Sequence, residues 1–317
     1  MHSQPKLNSH ILILDGDEFS TLSIVRSLGR KGLSITVAAA NKSAICKHSK
    51  YIQHFFTYPD PLSDIEGFNQ SIVTHIQSRQ YDLLIPVTEL TTLPLSRIRS
   101  LIEEHTTLAV SDPLSLEKVT DKSQTFDLAI KVGVPVPKSY YIESQQSLNN
   151  CIEALEYPIV LKPTRSIIDP TDDLRAKLNV DYAFNSDQLQ KKARSLLKTS
   201  EFILQEYFAG IGTGIELIAD HGEIVHAFQH ERIHELPLTG GGSCLRKSVP
   251  INPQLLEHSK KLIQALNWHG VAMVEFKHNE HTNQSCLMEI NGRFWGSLPL
   301  AVSSGSDFPW YLYQLLV

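Results

Sequence analysis

The sequence predicts an α/β domain followed by an α+β domain, and two observations carry this prediction. Up to about residue 110, short apolar runs alternate with amphipathic helical segments, which is typical of a parallel sheet covered by helices. From Glu201 onward, strand-like segments follow one another with only short turns between them, as in an antiparallel sheet. The length of 317 residues suits two or three packed domains.

The first unit begins with the apolar run at residues 11–14, a predicted buried parallel strand that ends in the turn residues "DGD". Helical spacing follows over "FSTLSIVRSLGRKG", and Gly32 marks the end of that helix. The segments "LSITVAAA" and "YDLLIPV" are the next two predicted strands, with the helix "DIEGFNQSIVTHIQSRQ" between them. This order of strands and helices predicts right-handed crossovers within one parallel sheet.

The second unit is predicted to begin near Ser111, where Asp112 and Pro113 form a helix start. Two helices then run to Gly133, and "KSYYI" and "YPIVLKP" are predicted strands on either side of a further helix. The antiparallel strands are "FILQEYF", "GIELIAD", "EIVHAFQHERI", "VAMVEFKHN" and "SCLMEIN". The last two are joined by a short polar turn, so we expect them to pair as a hairpin.

Composition excludes several classes of function. The net charge of −5, without a strongly basic block, argues against nucleic acid as the main partner. No apolar run approaches the length of a membrane span, and the N-terminal run is too short for a signal peptide. The cysteines at positions 46, 151, 244 and 286 have no paired spacing. They indicate reduced thiols in a cytoplasmic protein rather than a disulfide framework or a zinc site.

Polar residues occupy every second position of the last predicted strand. Glu289, Asn291 and Arg293 therefore share one face, and Glu275 on the partner strand is expected beside Glu289. Two carboxylates and an amide oxygen are hard ligands that suit Mg²⁺. Solvated surface acids, or an ion pair with Arg293, remain the alternative interpretation.

Other candidate residues carry less specific signals. Lys162 ends an apolar strand and Lys122 begins a helix, so both can point a cation into a cleft, although a solvated surface charge is the simpler interpretation of a single lysine. The run "TGGGS" at residues 239–243 fits either an anion-binding loop or a flexible hairpin. His230 and His234 fit a metal site or ordinary half-exposed histidines. The first strand lacks G-x-G-x-x-G, which makes NAD binding a weak hypothesis.

The order of these segments resembles the ATP-grasp superfamily: "TDKS", "YPIVLKP", "ILQEYFAG", a glycine-rich loop, "MVEFK" and "MEINGRFWG". The stretch "MEINGRFWGSLPLAVSSGSDFPWYLY" looks like the carboxylate–amine ligase branch related to carbamoyl-phosphate synthase. The resemblance implies a parallel α/β pre-ATP-grasp domain over residues 1–110 and a two-lobed ATP-grasp domain with antiparallel sheets over residues 111–317. Residues 111–205 would include the smaller lid lobe, and residues 206–317 would form the metal and catalytic lobe.

The resemblance also implies roles for individual residues. Glu289 would bridge two Mg²⁺ ions, with Mn²⁺ as an alternative, while Glu275 and Asn291 would each complete one site. Arg293 would stabilise charge on the transferred phosphoryl group. The residues implied for ATP are Lys122 and Lys162 at the phosphates and the adenine side, Gln205, Glu206, Tyr207 and Phe208 as the hinge under adenine, Arg165 and Ser166 in the flap, and Glu216 near the ribose.

Three departures from the family pattern follow. The flap region has no glycine from residue 163 to 180, so Arg165, Ser166, Arg175 and Lys177 are expected to replace backbone amides with side-chain donors. The acid that usually holds the ribose hydroxyls is missing near residues 212–214, and Glu216 is the nearest substitute. Related chains often continue beyond this C-terminus, so we expect a short member of the branch or part of a longer chain.

The reaction implied by the resemblance is ATP-dependent ligation, in which a carboxylate becomes an acyl phosphate and an amine then displaces phosphate. Arg232 and Arg246 are candidates for binding the substrate carboxylate, Ser243 for a further hydrogen bond, and Glu89 for a substrate ammonium. Structural ion pairs, or a cap or turn role, are the alternatives for these residues. An enzyme with another acceptor such as bicarbonate, and a catalytically silent ATP-binding scaffold or regulator, are the competing functions. A homodimer is a further expectation from the family.

Overall fold

The computed structural model describes residues 9–165, 180–198, 201–236 and 242–317. Ser166, Arg175, Lys177 and residues 239–241 of the glycine run, which the sequence marked as candidates, lie outside these ranges.

The first unit is a five-stranded parallel sheet with the order β3-β2-β1-β4-β5. Its elements are β1 (His10–Ile13), α1 (Phe19–Arg30), β2 (Ser34–Ala39), β3 (His54–Thr57), α2 (Ile65–Ser78), β4 (Leu83–Ile85), α3 (Glu89–Arg97), α4 (Arg99–Glu103) and β5 (Thr107–Leu108). The predicted parallel α/β unit is confirmed. Strand β3 was not predicted, because this edge strand of four residues is only half-buried and no α-helix separates it from β2.

The carboxylate of Asp15 holds the central turn of this sheet together. Asp15 follows β1 with a φ of 58°, and its side chain accepts hydrogen bonds from the backbone N–H groups of Val87 and Thr88, both at 2.8 Å. The hydroxyl of Thr91 donates to the same carboxylate at 2.6 Å. Since Val87 and Thr88 lead directly into α3, Asp15 fixes the position of Glu89, the first residue of that helix.

The second unit contains a four-stranded antiparallel sheet with the order β6-β9-β7-β8. Its elements are α5 (Pro113–Thr120), α6 (Lys122–Lys131), β6 (Ser139–Ile142), α7 (Gln145–Cys151), β7 (Ile159–Pro163), β8 (Asp181–Ala183), α8 (Ser186–Leu196) and β9 (Phe202–Glu206). Asp112 caps α5 by accepting from the Ser115 N–H at 2.9 Å, and Asp121 caps α6 by accepting from the Ser123 N–H at 2.9 Å. The cap at Asp121 places Lys122 at the first position of α6.

The third sheet is antiparallel and has the order β12-β11-β10-β13-β14. Its strands and the helices around it are β10 (Ile211–Asp220), β11 (Glu223–Leu236), β12 (Gly242–Val249), α9 (Pro253–Ala265), β13 (Gly270–Asn279), β14 (Gln284–Asn291), α10 (Leu298–Ser303) and α11 (Phe308–Leu316). The predicted hairpin is confirmed: β13 pairs with β14, and Glu275 lies opposite Glu289.

The last two helices pack against the first unit. Leu298, Phe308 and Leu312 share one buried cluster with Ile24 and Leu28 of α1. The division at residue 110 stays a prediction. Among the helices of the described ranges, none has both the length and the apolarity needed to cross a bilayer.

Removing the Asp15 carboxylate is expected to destabilise the first unit. Asp15→Ala leaves the buried N–H groups at residues 87 and 88 without acceptors, which should lower the free energy of unfolding by about 3 kcal/mol. Asp15→Asn keeps one acceptor oxygen and should recover most of this loss. Urea unfolding of both variants, with Asp17→Ala at the nearby exposed carboxylate as the control, measures the difference. Equal stability of Asp15→Ala and Asp17→Ala would contradict the assigned role.

Candidate active site

The β13–β14 hairpin brings two carboxylates and an amide together. The amide nitrogen of Asn291 lies 3.2 Å from Oε1 of Glu275 and 3.4 Å from Oε1 of Glu289. Arg293 donates from Nη2 to Oδ1 of Asn291 at 3.0 Å and from Nη1 to the carbonyl of Phe294 at 2.8 Å. The three residues that the sequence grouped on one strand face therefore form one connected polar cluster with Glu275 of the partner strand.

A β-bulge at Met288 changes the alternation within this hairpin. Glu275 pairs with Glu289 but Phe276 pairs with Leu287, so Met288 is an extra residue on β14. Both Met288 and Glu289 are partly exposed as a result, although they are consecutive in sequence. Bulges commonly redirect side chains beside functional sites. Strict alternation would place Met288 on the opposite face from Glu289, so the sequence pattern does not predict Met288 as a residue of the site.

Two lysines from different elements point at this cluster. Nζ of Lys122 lies 3.4 Å from Oε2 of Glu289. Nζ of Lys162 donates to Oε1 of Gln205 at 2.7 Å and lies 3.9 Å from the sulfur of Met288. Both lysine side chains are buried, so neither is the solvated surface charge that the simpler interpretation favoured.

These cations control the pKa of Glu289. Burial alone would raise that pKa, but Lys122, Lys162 and Arg232 together outweigh burial and lower it to about 2. The Glu289 side chain still keeps 34% of its surface exposed. Glu289 is therefore ionised at neutral pH and accessible to a ligand.

Burial has the opposite consequence for Lys162. Desolvation and the nearby charges of Lys122 and Lys277 lower the pKa of Lys162 to about 8, against the attraction of Glu289 and Glu275. The charge of Lys162 is thus maintained at neutral pH but lost in mildly alkaline solution.

Arg232 reaches the cluster from the far side of β10. It lies on β11, and its guanidinium forms ion pairs with Glu275 on β13 and with Glu235, the latter at 3.3 Å. A Cβ atom on Gly212 of β10 would stand 2.8 Å from Cδ of Arg232. The glycine therefore leaves the space through which the arginine side chain crosses the intervening strand, a purpose that the sequence pattern did not reveal.

The Arg232–Glu275 pair balances a buried carboxylate. Burial and the neighbouring Glu289 raise the pKa of Glu275, and Arg232 opposes this rise. Glu275 in turn raises the pKa of Arg232. Arg246 is the cross-strand neighbour of Arg232, and it donates to the carbonyls of Ser243 and, at 3.4 Å, Gly296. The predicted substrate arginines thus lie side by side, with Ser243 adjacent to them.

Gly292 is required by close packing. A Cβ atom there would stand 2.4 Å from the ring of Trp268 and 3.0 Å from Val119. The backbone at this position passes directly over the ring of a buried tryptophan.

The predicted hinge lies at the end of β9. Gln205 is buried beneath Lys162, whereas Glu206 is partly exposed and pairs with Lys138 at 3.3 Å. Tyr207 is exposed, and the ammonium of Lys277 lies 5.1 Å from the centre of its ring. Phe208 follows on the connection to β10 and is partly exposed. The predicted hinge residues therefore lie beside Lys162, at the buried end of the site.

Glu216 lies inside the sheet packing. It is fully buried, accepts a hydrogen bond from the hydroxyl of Ser297 at 2.6 Å and lies 2.9 Å from Nδ1 of His230. His230 is also buried, whereas His234 is exposed. Glu216 is thus held by contacts with Ser297 and His230, and its assignment to the ribose stays a prediction.

Glu89 lies beside the polar cluster. It lines a small cavity together with Lys122, Glu289, Asn291 and Arg293. Arg165 lies further out, at 3.3 Å from Asp121 and 3.7 Å from Glu117. The fold therefore brings Glu89 of the first unit to the residues of the hairpin.

A parallel α/β unit followed by two antiparallel sheets, with lysines and carboxylates gathered between the sheets, is the ATP-grasp architecture. Comparisons with known proteins agree. Residues 198–317 match the family "ATP-grasp in the biosynthetic pathway with Ter operon". D-alanine–D-alanine ligase from Wolbachia pipientis wMel is 27% identical over 168 residues, which are 50% of this chain and 50% of that protein. The chain thus spans about half the length of the curated relatives it matches.

Solved structures share the fold across nearly the whole chain. The ATP complex of biotin carboxylase from Campylobacter jejuni has a TM-score of 0.78 at 14% identity and covers 97% of this chain and 70% of that protein. L-amino acid ligase from Bacillus licheniformis has a TM-score of 0.72 at 15% identity, and the match covers 99% of this chain and 75% of that protein. An ATP-grasp family model matches residues 198–317 and the fold is the one found in these solved structures, which bears out the resemblance and the fold class inferred from the sequence.

Loss of Arg232 is expected to destabilise the protein most at high pH. Arg232→Ala leaves Glu275 buried without its closest counter-ion, which should lower the free energy of unfolding by about 3 kcal/mol at neutral pH. Because the pKa of Glu275 is already raised, the carboxyl group of the variant becomes neutral on mild acidification. The loss in free energy of unfolding, relative to the wild type, should therefore become smaller as the pH falls and larger as the pH rises. Denaturant unfolding between pH 5 and 8, with Arg232→Lys as the charge-preserving control, tests this, and a pH-independent deficit would contradict it.

Proposed function

We propose that this protein is an ATP-dependent ligase that activates a small-molecule carboxylate as an acyl phosphate and joins it to an amine. The supporting observation is the convergence of Glu275, Glu289 and Asn291 with Lys122 and Lys162 at one end of the cleft between the antiparallel sheets. Two acids and two lysines so close together suit a polyphosphate that arrives with divalent cations.

The two carboxylates fit Mg²⁺ directly, and Asn291 fits it when its amide group turns, because Oδ1 accepts from Arg293 while the amide nitrogen faces the acids. Both carboxylates lie within reach of the same Asn291 amide, so all three side chains address one small volume. Glu289 would hold both ions of a two-metal site, Glu275 and Asn291 would each help to hold one of them, and the ions would supply positive charge for phosphate.

The chain's own side chains would carry the remaining steps. Lys122 and Lys162 hold the phosphates, Arg165 closes over them from the flap side, and Gln205 to Phe208 support the adenine. Arg293, held against Asn291, stabilises negative charge on the phosphoryl group in transfer. Arg232 and Arg246 bind the substrate carboxylate with help from Ser243, and Glu89 receives the amine.

In this scheme a carboxylate oxygen attacks the terminal phosphorus and ADP leaves with the bonding electrons. The amine then attacks the carbonyl carbon and phosphate leaves. Water must be excluded during the interval, because acyl phosphates hydrolyse. We further propose that the protein is cytoplasmic and forms a homodimer, with a domain boundary near residue 110. Bicarbonate as the acceptor, or ATP binding without turnover, are the alternatives that the experiment below distinguishes.

Turnover should depend on Glu289 but not on a nearby surface acid. Glu289→Gln keeps the size of the side chain and removes the charge that holds the cations, so product formation should fall at least about a hundredfold. Nucleotide binding should persist, because Lys122 and Lys162 remain. Glu280→Gln, at an exposed position in the turn of the same hairpin, is the matched control.

The assay incubates the protein with Mg-ATP and a pool of amino acids and small acids, then measures phosphate release and new condensed masses. A condensed product that depends on Glu289 supports the ligase. Phosphate release that requires bicarbonate alone supports the other acceptor. Nucleotide binding without any turnover supports the scaffold.

Nucleotide affinity should weaken in alkaline solution. Lys162 must be protonated to bind phosphate, and its pKa in the free protein is lowered to about 8. Affinity for Mg-ADP should therefore be constant up to about pH 8 and then fall by as much as about tenfold per pH unit. Calorimetric titration from pH 6 to 9.5 measures this dependence. In Lys162→Arg, whose side-chain charge does not titrate in this range, the affinity for Mg-ADP should not begin to fall at pH 8. A fall at the same pH in that variant would refute the assignment.

A further inference from the structure

A second cavity opens between helices α3 and α5, beside the proposed reaction centre. Its volume is about 230 Å³. Its walls are largely apolar and include Leu90, Leu93 and Pro94 from α3 and Leu116 from α5. No reactant of the proposed reaction has yet been assigned to this cavity.

The cavity adjoins the reaction centre directly. Glu89, Leu93, Leu116 and Thr120 line both this cavity and the smaller one that contains Lys122, Glu289, Asn291 and Arg293. A molecule held between α3 and α5 can therefore present one end to the phosphoryl-transfer site while the rest of it stays outside. Glu89 stands at the junction of the two cavities.

The size of the cavity limits what it can bind. It is more than ten times the space that one water needs, which is about 10–15 Å³ by a comparable measure. It is below the range of about 300–1,000 Å³ that is typical for drug-sized ligands. A single amino acid fits this size better than a nucleotide or a sugar phosphate does.

The charges around the cavity are mixed and balanced. Two carboxylates, Glu89 and Glu117, and two guanidinium groups, Arg97 and Arg165, line it together with the apolar residues. Glu117 and Arg165 lie 3.7 Å apart and form an ion pair. A zwitterion suits such a lining, because it brings one charge of each sign and leaves the net charge of the site unchanged, whereas a purely anionic or purely cationic ligand would unbalance it.

We propose that this cavity binds the acceptor substrate, and that the acceptor is an α-amino acid with an apolar side chain of about the size of leucine. This inference rests on the proposed ligase function. The ammonium lies at Glu89, the carboxylate lies toward Arg97 and Arg165, and the side chain packs against Leu90 and Pro94.

The chemistry balances with these groups. The ammonium gives one proton to Glu89, and the neutral amine attacks the carbonyl carbon of the acyl phosphate. The C–N bond forms as the C–O bond to phosphate breaks, and phosphate leaves with the bonding electrons. The second proton lost from nitrogen goes to the departing phosphate.

Variants of Leu90 test the cavity separately from turnover. Leu90→Trp fills the space and should weaken binding of L-leucine at least tenfold while leaving glycine within twofold. Leu90→Ala enlarges the space and should favour L-phenylalanine over L-leucine relative to the wild type. Leu114→Trp is the matched control, because Leu114 lies on α5 but is 71% exposed and does not line the cavity.

Binding is measured by calorimetry with glycine, L-leucine and L-phenylalanine in the presence of Mg²⁺ and a non-hydrolysable ATP analogue, and product formation is measured with Mg-ATP. Binding of L-leucine that responds to Leu90 variants but gives no product would uphold the cavity as an amino-acid site and overturn the ligase. Product formation from L-leucine that is insensitive to both Leu90 variants would overturn the cavity assignment and leave the ligase intact. The cavity assignment also fails if none of the amino acids binds to the wild type.

Discussion

The charge balance at the β13–β14 hairpin is the constraint on which the rest of the structure depends. Glu275 is buried and Glu289 is partly buried on neighbouring strands, an arrangement that is costly unless cations stand close by. Lys122 and Arg232 form ion pairs with these acids, and Lys162 adds its charge to the field at Glu289. The three cations together offset the charges of the two carboxylates at the hairpin.

Each cation comes from a different part of the chain, and the fold holds each by a local device. The Asp121 cap sets Lys122 at the start of α6, and the last residues of buried β7 carry Lys162. The missing side chain at Gly212 lets Arg232 cross β10. The site is therefore assembled by the second and third sheets together, and Glu89 joins it from the first unit through the turn that Asp15 fixes.

The sequence predicted those features that depend on local pattern. Alternation on β14 grouped Glu289, Asn291 and Arg293, and the short polar turn predicted the pairing that puts Glu275 beside them. The sequence did not predict features that depend on contacts between neighbouring elements. The bulge at Met288 becomes visible only in the pairing with β13, and the burial of Glu216 depends on side chains from β11 and from the segment before α10.

The two carboxylates of the hairpin are not equivalent, although the alternation of the sequence treats them alike. Glu289 faces the lysines, keeps a third of its side chain exposed and has a pKa lowered to about 2. Glu275 is more deeply buried, and its pKa is raised despite its pairing with Arg232. Environments that separate the pKa values of adjacent acids are characteristic of sites in which the acids have different tasks. The exposed, ionised Glu289 is suited to a ligand shared between ions, whereas Glu275 depends on a counter-ion at all times, because its burial makes an unpaired charge there too costly.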